Sequence, residues 1–242
     1  MEDCQSIFKR VEKKYRLSDE EYRELRIALA DRIAPDEYSS ASVMSLYFDT
    51  DDDHIIGRSL EKPQMYKEKL RIRSYGVPAH DSMVFAELKK KYDGVVYKRR
   101  SCLTWEEARD WLIFGGSAPE DSQINREIEY FMEHYDAEPA ALITYDRIAF
   151  HGEEDPELRI TFDSRIKGRD TALDLTKGAW GTDIIGPNEH LMEIKAEDAY
   201  PMWLCSLLSE HEIYSSSFSK YGTFYQERVA QKSLLTGGGH VA

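Results

Sequence analysis

Residues 84–100 read Val84-Phe85-Ala86-Glu87-Leu88-Lys89-Lys90-Lys91-Tyr92-Asp93-Gly94-Val95-Val96-Tyr97-Lys98-Arg99-Arg100, and this stretch decides the fold class. Asp-Gly between two runs of β-formers is the strongest short-range signal for a hairpin. A two-residue turn there sets Lys89 opposite Lys98 and Glu87 opposite Arg100 on one face. Strand side chains alternate between faces, so the segments Lys69-Leu70-Arg71-Ile72-Arg73 and Glu193-Ile194-Lys195 repeat the same one-sided charge. Like charges opposed across a ladder repel. A chain that builds such a face points to a polyanion held on it.

The totals narrow the class. The chain has 242 residues, of which 41% are hydrophobic, with 15 Tyr and 9 Phe, so a sizeable core is available and global disorder is excluded. The net charge of −13 argues against a nucleic-acid binder with a broad basic face, yet 32 Lys and Arg remain to be placed, enough for a basic cavity. Cys4, Cys102 and Cys205 offer neither a disulfide framework nor zinc spacing, which favours a reducing compartment. The first residues carry no signal-peptide core, and no run approaches the ~18 apolar residues of a membrane span. The expectation is a soluble, cytoplasmic protein with no membrane segment, one domain over residues 1–235 and a disordered tail over 236–242.

Strands are expected at residues 7–17, 43–49, 67–75, 84–101 (the hairpin), 140–150, 157–166 and 191–196. Capping boxes at Ser18/Glu21 and Thr104/Glu107 predict two helices, the first carrying Tyr22, Leu25 and Leu29, the second Trp105, Ala108, Trp111 and Leu112. A helix over 122–135 carries Ile124, Ile128 and Phe131. Pro201 opens a last helix, with Trp203, Leu204, Leu207 and Leu208 on its apolar face. A short helix or turn fits 51–60. Residues 167–190 read as loops with at most one strand, and 215–225 fits no single element.

The strand faces sort the charges. Arg10, Glu12 and Lys14 share one face; Lys69, Arg71 and Arg73 another; Glu87 and Lys89 a third, beside Lys98 and Arg100. Arg159, Thr161, Asp163 and Arg165 share a fourth, and Glu193 and Lys195 a fifth. For any one strand, a sheet with a solvated charged face is the simpler explanation. Together, the apolar stripes of the helices need the apolar strand faces. A closed sheet covered outside by helices turns its charges inward. Lys and Arg confined there need neutralising, and a phosphate chain does so. Glu12, Glu87, Asp163 and Glu193 are hard oxygen ligands suited to Mg2+ or Mn2+. No glycine-rich phosphate loop, zincin motif or nucleophile elbow is present.

Eight segments arrive in a telling order: RVEKKY (10–15), SLYFDT (45–50), KLRIRSYG (69–76), VFAELKKKYDGVVYKRR (84–100), TYDRIAF (144–150), LRITFD (158–163), LMEIKAE (191–197) and SFSKYGTFY (217–225). This resembles the VTC domain, the polyphosphate polymerase domain of the vacuolar transporter chaperone complex, within the CYTH-like triphosphate tunnel metalloenzymes. The resemblance implies an α+β fold: a closed antiparallel eight-stranded β-barrel, the triphosphate tunnel, with helices packed outside. It implies transfer of the terminal phosphoryl group of ATP to inorganic polyphosphate, with Mn2+ or Mg2+ as cofactor. A triphosphate hydrolase and a non-catalytic polyphosphate binder are the alternatives. The SPX-like and transmembrane parts of the eukaryotic complex have no counterpart here.

Carried over by position, Lys14, Arg71, Arg73, Lys89, Arg147 and Lys220 resemble the catalytic cations and Glu193 the metal-binding glutamate, with Glu12, Glu87 and Asp163 as further metal candidates. Arg10, Lys69, Lys98, Arg100, Arg159, Lys195 and Ser219 are candidate phosphate-binding residues. Ser217 stands where family members can carry a further lysine.

Overall fold

The computed structural model describes residues 11–61, 65–93 and 95–237. In chain order its elements are β1 (Val11–Ser18), α1 (Asp19–Ala28), β2 (Ile33–Asp49), α2 (His54–Leu60), β3 (Tyr66–Tyr75), β4 (Met83–Tyr92), β5 (Val95–Thr104), α3 (Trp105–Leu112) and α4 (Gln123–Tyr135). There follow β6 (Glu138–Gly152), β7 (Arg159–Arg169), a 3-10 turn (Leu175–Lys177), β8 (Thr182–Asp183), β9 (Glu189–Ala196), α5 (Met202–Glu210) and α6 (Lys220–Gly237). The fold is α+β, and every ladder is antiparallel.

The hairpin forms with the expected register. Tyr92 pairs with Val95, Lys89 with Lys98 and Glu87 with Arg100. Asp93 takes φ of 44°, as the first position of a tight primed turn requires; Gly94 lies outside the described residues. Both capping boxes are present: the Ser18 hydroxyl accepts from Glu21 N–H while Glu21 accepts from Ser18 N–H, and Thr104 and Glu107 do the same.

Eight strands follow one path, β1-β9-β7-β6-β2-β3-β4-β5, with β8 appended to β7. The sheet has nine strands in place of the expected eight, and the closure expected of a barrel is absent among the described residues. Among the described residues β1 and β5 share no ladder, so the sheet is open. The side of β1 left by β9 is taken instead by Ser216, whose N–H donates to the Lys14 carbonyl at 2.7 Å.

The outer sheet face is apolar and helix-covered. Leu46, Phe48, Leu70, Ile72 and Leu88 pack with Trp105 and Trp111 of α3 and Ile128 and Phe131 of α4. Leu17, Ile160, Phe162 and Ile194 pack with Leu25 of α1 and Leu204 and Leu208 of α5. One helix departs from the outside arrangement. Tyr221 and Phe224 of α6 pack on the inner face against Val43, Tyr47, Ile143 and Ile166. Gly168 permits this, because a Cβ there would lie 2.4 Å from Phe224. Pro201 does precede a helix, but α5 is not the last one; α6 starts within the unassigned residues 215–225 and takes in Thr236 and Gly237 of the expected tail, whose remaining residues lie outside those described.

Candidate phosphate-binding site

Strand parity carries the charges to one inner face, as expected. Lys69 pairs with Lys89 and Arg71 with Glu87 across β3 and β4, Arg147 with Asp163 across β6 and β7, and Lys14 with Glu193 across β1 and β9. Residues 218 and 219, just before α6, link strands that are far apart on the path. Lys14 of β1 donates to the Phe218 carbonyl at 3.0 Å, and Lys69 of β3 donates to the Ser219 hydroxyl, one residue on, at 3.2 Å. Burial alone would raise the Glu12 carboxyl, yet it is held below its ordinary value by Lys195, Lys89 and Lys14, which belong to three different strands.

Two carboxylates act as hubs. Glu87, 2% exposed, takes Arg71 on Oε2 at 2.9 and 2.7 Å, Arg100 on Oε1 at 2.9 and 2.6 Å, and Lys98 on Oε1 at 2.9 Å. Burial opposes its ionisation, but Arg71, Arg73 and Lys98 hold it far below the usual carboxylate range. Asp163, fully buried, receives Arg147 on both oxygens at 2.6 and 2.7 Å and Lys220 at 2.6 Å. Lys220 also bonds Glu193 at 3.0 Å. Burial would lower the Lys220 ammonium, but Asp163 and Glu193 raise it above its ordinary value. Lys14, Arg147 and Lys195 stand farther from Glu193, at 3.8, 3.5 and 3.6 Å.

Among the described residues some buried polar atoms on this face make no hydrogen bond: Arg73 Nε, which lies 3.8 Å from Glu87 Oε2, Ser45 Oγ, which is opposite Arg73 in the ladder, and Thr161 Oγ1, which is opposite Glu193. Arg73 is 8% exposed. A buried guanidinium N–H held only by an ion pair at 3.8 Å still lacks a hydrogen-bond acceptor, and an entering anion would supply one.

Other expected site residues lie elsewhere. Arg159 turns to Asp36, which also faces His151. Arg165 leaves the face because a register shift between Thr144 and Asp146 accompanies its φ of 50°; its side chain is 74% exposed and pairs with Asp146. Arg10 lies outside the described residues. Ser219 caps α6, accepting from Gly222 N–H at 3.1 Å, besides receiving Lys69.

Two residues of the site were not anticipated. The Tyr47 phenol accepts from Arg71 at 2.9 Å, and Tyr145 lies 3.5 Å from Arg73 and under Lys220, 4.5 Å from its ring centroid. Tyr145 sits two residues before Arg147 on one strand, so its parity carries the signal; Tyr47 has the same parity relation to the ladder with Arg71.

Among the described residues no three His, Cys, Asp or Glu side chains converge to hold a metal. Glu12 and Glu193 are diagonal neighbours across β1 and β9. They make a pair of hard carboxylate donors, with Lys14 3.8 Å from each. That fits a Mg2+-class ion, which binds one or two carboxylates plus substrate phosphates.

No helix among the described residues is long and apolar enough to cross a membrane. In fold the chain is similar to a "putative adenylate cyclase" from Bacillus halodurans, with 15% identity, 86% of this chain and 92% of that chain covered, and a TM-score of 0.56. A Pyrococcus horikoshii OT3 protein (12% identity, 90% and 99% covered, TM-score 0.47) and the Mimivirus capping enzyme triphosphatase (10%, 83% and 88%, 0.34) are also matched. No curated protein matches this chain. The VTC domain family matches residues 9–227, the span that contains every described residue of the charged face. The chain belongs to the VTC domain family.

Proposed function

We propose that this chain is an ATP-dependent polyphosphate polymerase. The terminal oxyanion of a phosphate chain attacks the γ-phosphorus of ATP, the bond from that phosphorus to the β,γ-bridging oxygen breaks, and ADP leaves. The single observation that carries this reading is Arg73, a buried guanidinium whose Nε makes no hydrogen bond and which shares one strand face with Lys69 and Arg71.

Arg71, Arg73 and Lys89 grip the phosphates from β3 and β4, and Lys14, Arg147 and Lys220 from the opposite wall. Lys69, Lys98, Arg100 and Lys195 extend the lining. Lys14 and Lys69 donate their hydrogen bonds to neutral acceptors, a carbonyl and a hydroxyl, which anionic phosphate oxygens would replace. Glu87 and Asp163, saturated by cations, keep the guanidinium groups in place. Glu193 and Glu12 would hold the divalent ion, Mn2+ or Mg2+, which would neutralise charge on phosphate oxygens. Phosphoryl transfer needs positioning and charge stabilisation above all, and the acceptor is already ionised, so the chain supplies no general base.

Incubation with ATP, with and without Mn2+, tests this directly: polymer and ADP form in step and only with the ion. Arg71→Ala and Glu193→Ala each lower the rate by roughly 10²–10³, the usual loss for a preorganised charge-stabilising group. Orthophosphate without polymer assigns a hydrolase instead, and binding without turnover a polyphosphate-binding protein.

A further inference from the structure

Along β3 the inner face changes character. Lys69, Arg71 and Arg73 are followed by Tyr75, and along β4 Lys89 and Glu87 give way to Phe85 and Met83. Arg73 is directly opposite Phe85 in the ladder. The rings of Tyr75 and Phe85 meet at 75° with centroids 5.9 Å apart, forming a corner. Arg100 backs Phe85, 4.6 Å from its centroid. Tyr75 is 53% exposed and Met83 55%, although both end strands otherwise dedicated to core and charge. At a rise of ~3.3 Å per residue, Tyr75 stands about 20 Å from Lys69, which touches the start of α6. The aromatic corner therefore lies at the end of the face remote from α6, about 7 Å along the strand beyond Arg73.

We propose that the Tyr75–Phe85 corner is a nucleobase subsite, resting on the reading of the charged face as a site for nucleoside triphosphates. A planar base entering the corner meets the face of one ring and the edge of the other. The ribose then spans to Arg73, and the outer phosphates continue to Arg71 and Lys89. Such a corner reads ring area more than base edges, so purine nucleotides bind better than pyrimidine ones, with little distinction between ATP and GTP.

Calorimetric titration of ATP and of inorganic tripolyphosphate onto the full chain separates the base from the phosphates. Tyr75→Ala weakens ATP on the order of tenfold, the usual worth of a stacked base, and leaves tripolyphosphate unchanged, while Tyr75→Phe restores ATP. Etheno-ATP fluorescence, quenched by stacking, is quenched by the parent and by Tyr75→Phe but not by Tyr75→Ala. If tripolyphosphate binds and Arg71→Ala abolishes it, yet Tyr75→Ala leaves ATP untouched or weakens both ligands equally, the subsite is overturned and the phosphate reading stands. If the parent binds neither ligand, both fall.

Discussion

Arg71 sets two nitrogens on a single oxygen of Glu87, Nε at 2.9 Å and Nη2 at 2.7 Å. The other oxygen is thereby left to Arg100 and Lys98 from the neighbouring strand. Glu87 thus ties β3 to β5 through β4. It also explains how the hairpin tolerates Lys89 opposite Lys98: Lys98 turns to the carboxylate, and the repulsion that the register implies is relieved two residues away.

Glu87→Gln removes the charge that these cations share. Breaking a buried pair by deleting one partner costs ~3–5 kcal/mol. The lower end, about 3 kcal/mol, is expected because Lys98 and Arg100 are a third or more exposed. Urea unfolding measures the loss. Tripolyphosphate, binding the folded state alone, recovers part of it. Unchanged stability of the ligand-free variant would remove Glu87 from its organising role.

Acid should weaken the fold through the same groups. Glu87 and Glu193 are opposed by burial, but their cationic neighbours win and hold both below the ordinary carboxylate value. Their stabilisation is complete above the unfolded value of ~4.3 and is lost as pH falls below it toward the depressed folded values. Denaturant midpoints between pH ~5 and ~3 should therefore drop for the parent and less steeply for Glu87→Gln. Parallel slopes for the two proteins would count against this account.

Local chemistry was legible in the residues, and long-range chemistry was not. The boxes at Ser18 and Thr104 are satisfied within four residues, and the hairpin register follows from Asp93 and its flanking strands, so each could be read in place. Strand parity likewise delivered Arg71, Arg73 and Lys89 to one face, while Arg147 and Lys220, the latter on α6, were placed by the family resemblance. The open edge was not legible, because whether β1 meets β5 or Ser216 depends on segments some two hundred residues apart. Residues 33–42 of β2 were missed because Pro35 and Asp36 disfavour strand. The first turns of α6 were missed because Gly222 interrupts them and the aromatic residues 221, 224 and 225 stand among polar ones. Glu87, expected among the metal ligands, has both oxygens occupied, which only the three-strand register makes plain.

Gly168→Ala tests the seating of α6. The new methyl would lie 2.4–2.8 Å from three atoms of the Phe224 ring, so the ring or the strand must move. Overpacking of this kind costs ~1–3 kcal/mol. Hydrogen exchange in α6 should accelerate more than in β3, and Phe224→Leu in the same chain should return part of the stability. An additive double variant would place the strain elsewhere.

Binding of a polyanion should draw protons from solution at mildly alkaline pH. Burial would push the Tyr47 phenol up, but Arg71, Lys69 and Arg73 outweigh it and bring it down to about 8. Lys69 is lowered to about 8 by burial, with Lys14 and Lys89 adding to it and Tyr47 opposing. Lys98 is lowered to about 8 by burial, against the pull of Glu87. All three are then partly deprotonated at pH ~8, and a phosphate chain among them raises each value by adding negative charge. Long-chain polyphosphate, whose internal phosphates have no proton to give in this range, should take up on the order of one proton per site at pH ~8. Calorimetry in buffers of different ionisation enthalpy reads the number. Uptake should vanish near pH 6, where the three groups are already protonated, and should shrink at pH ~8 in Tyr47→Phe. Proton release, or uptake that ignores pH, would show that the anion binds away from Tyr47 and its lysine neighbours.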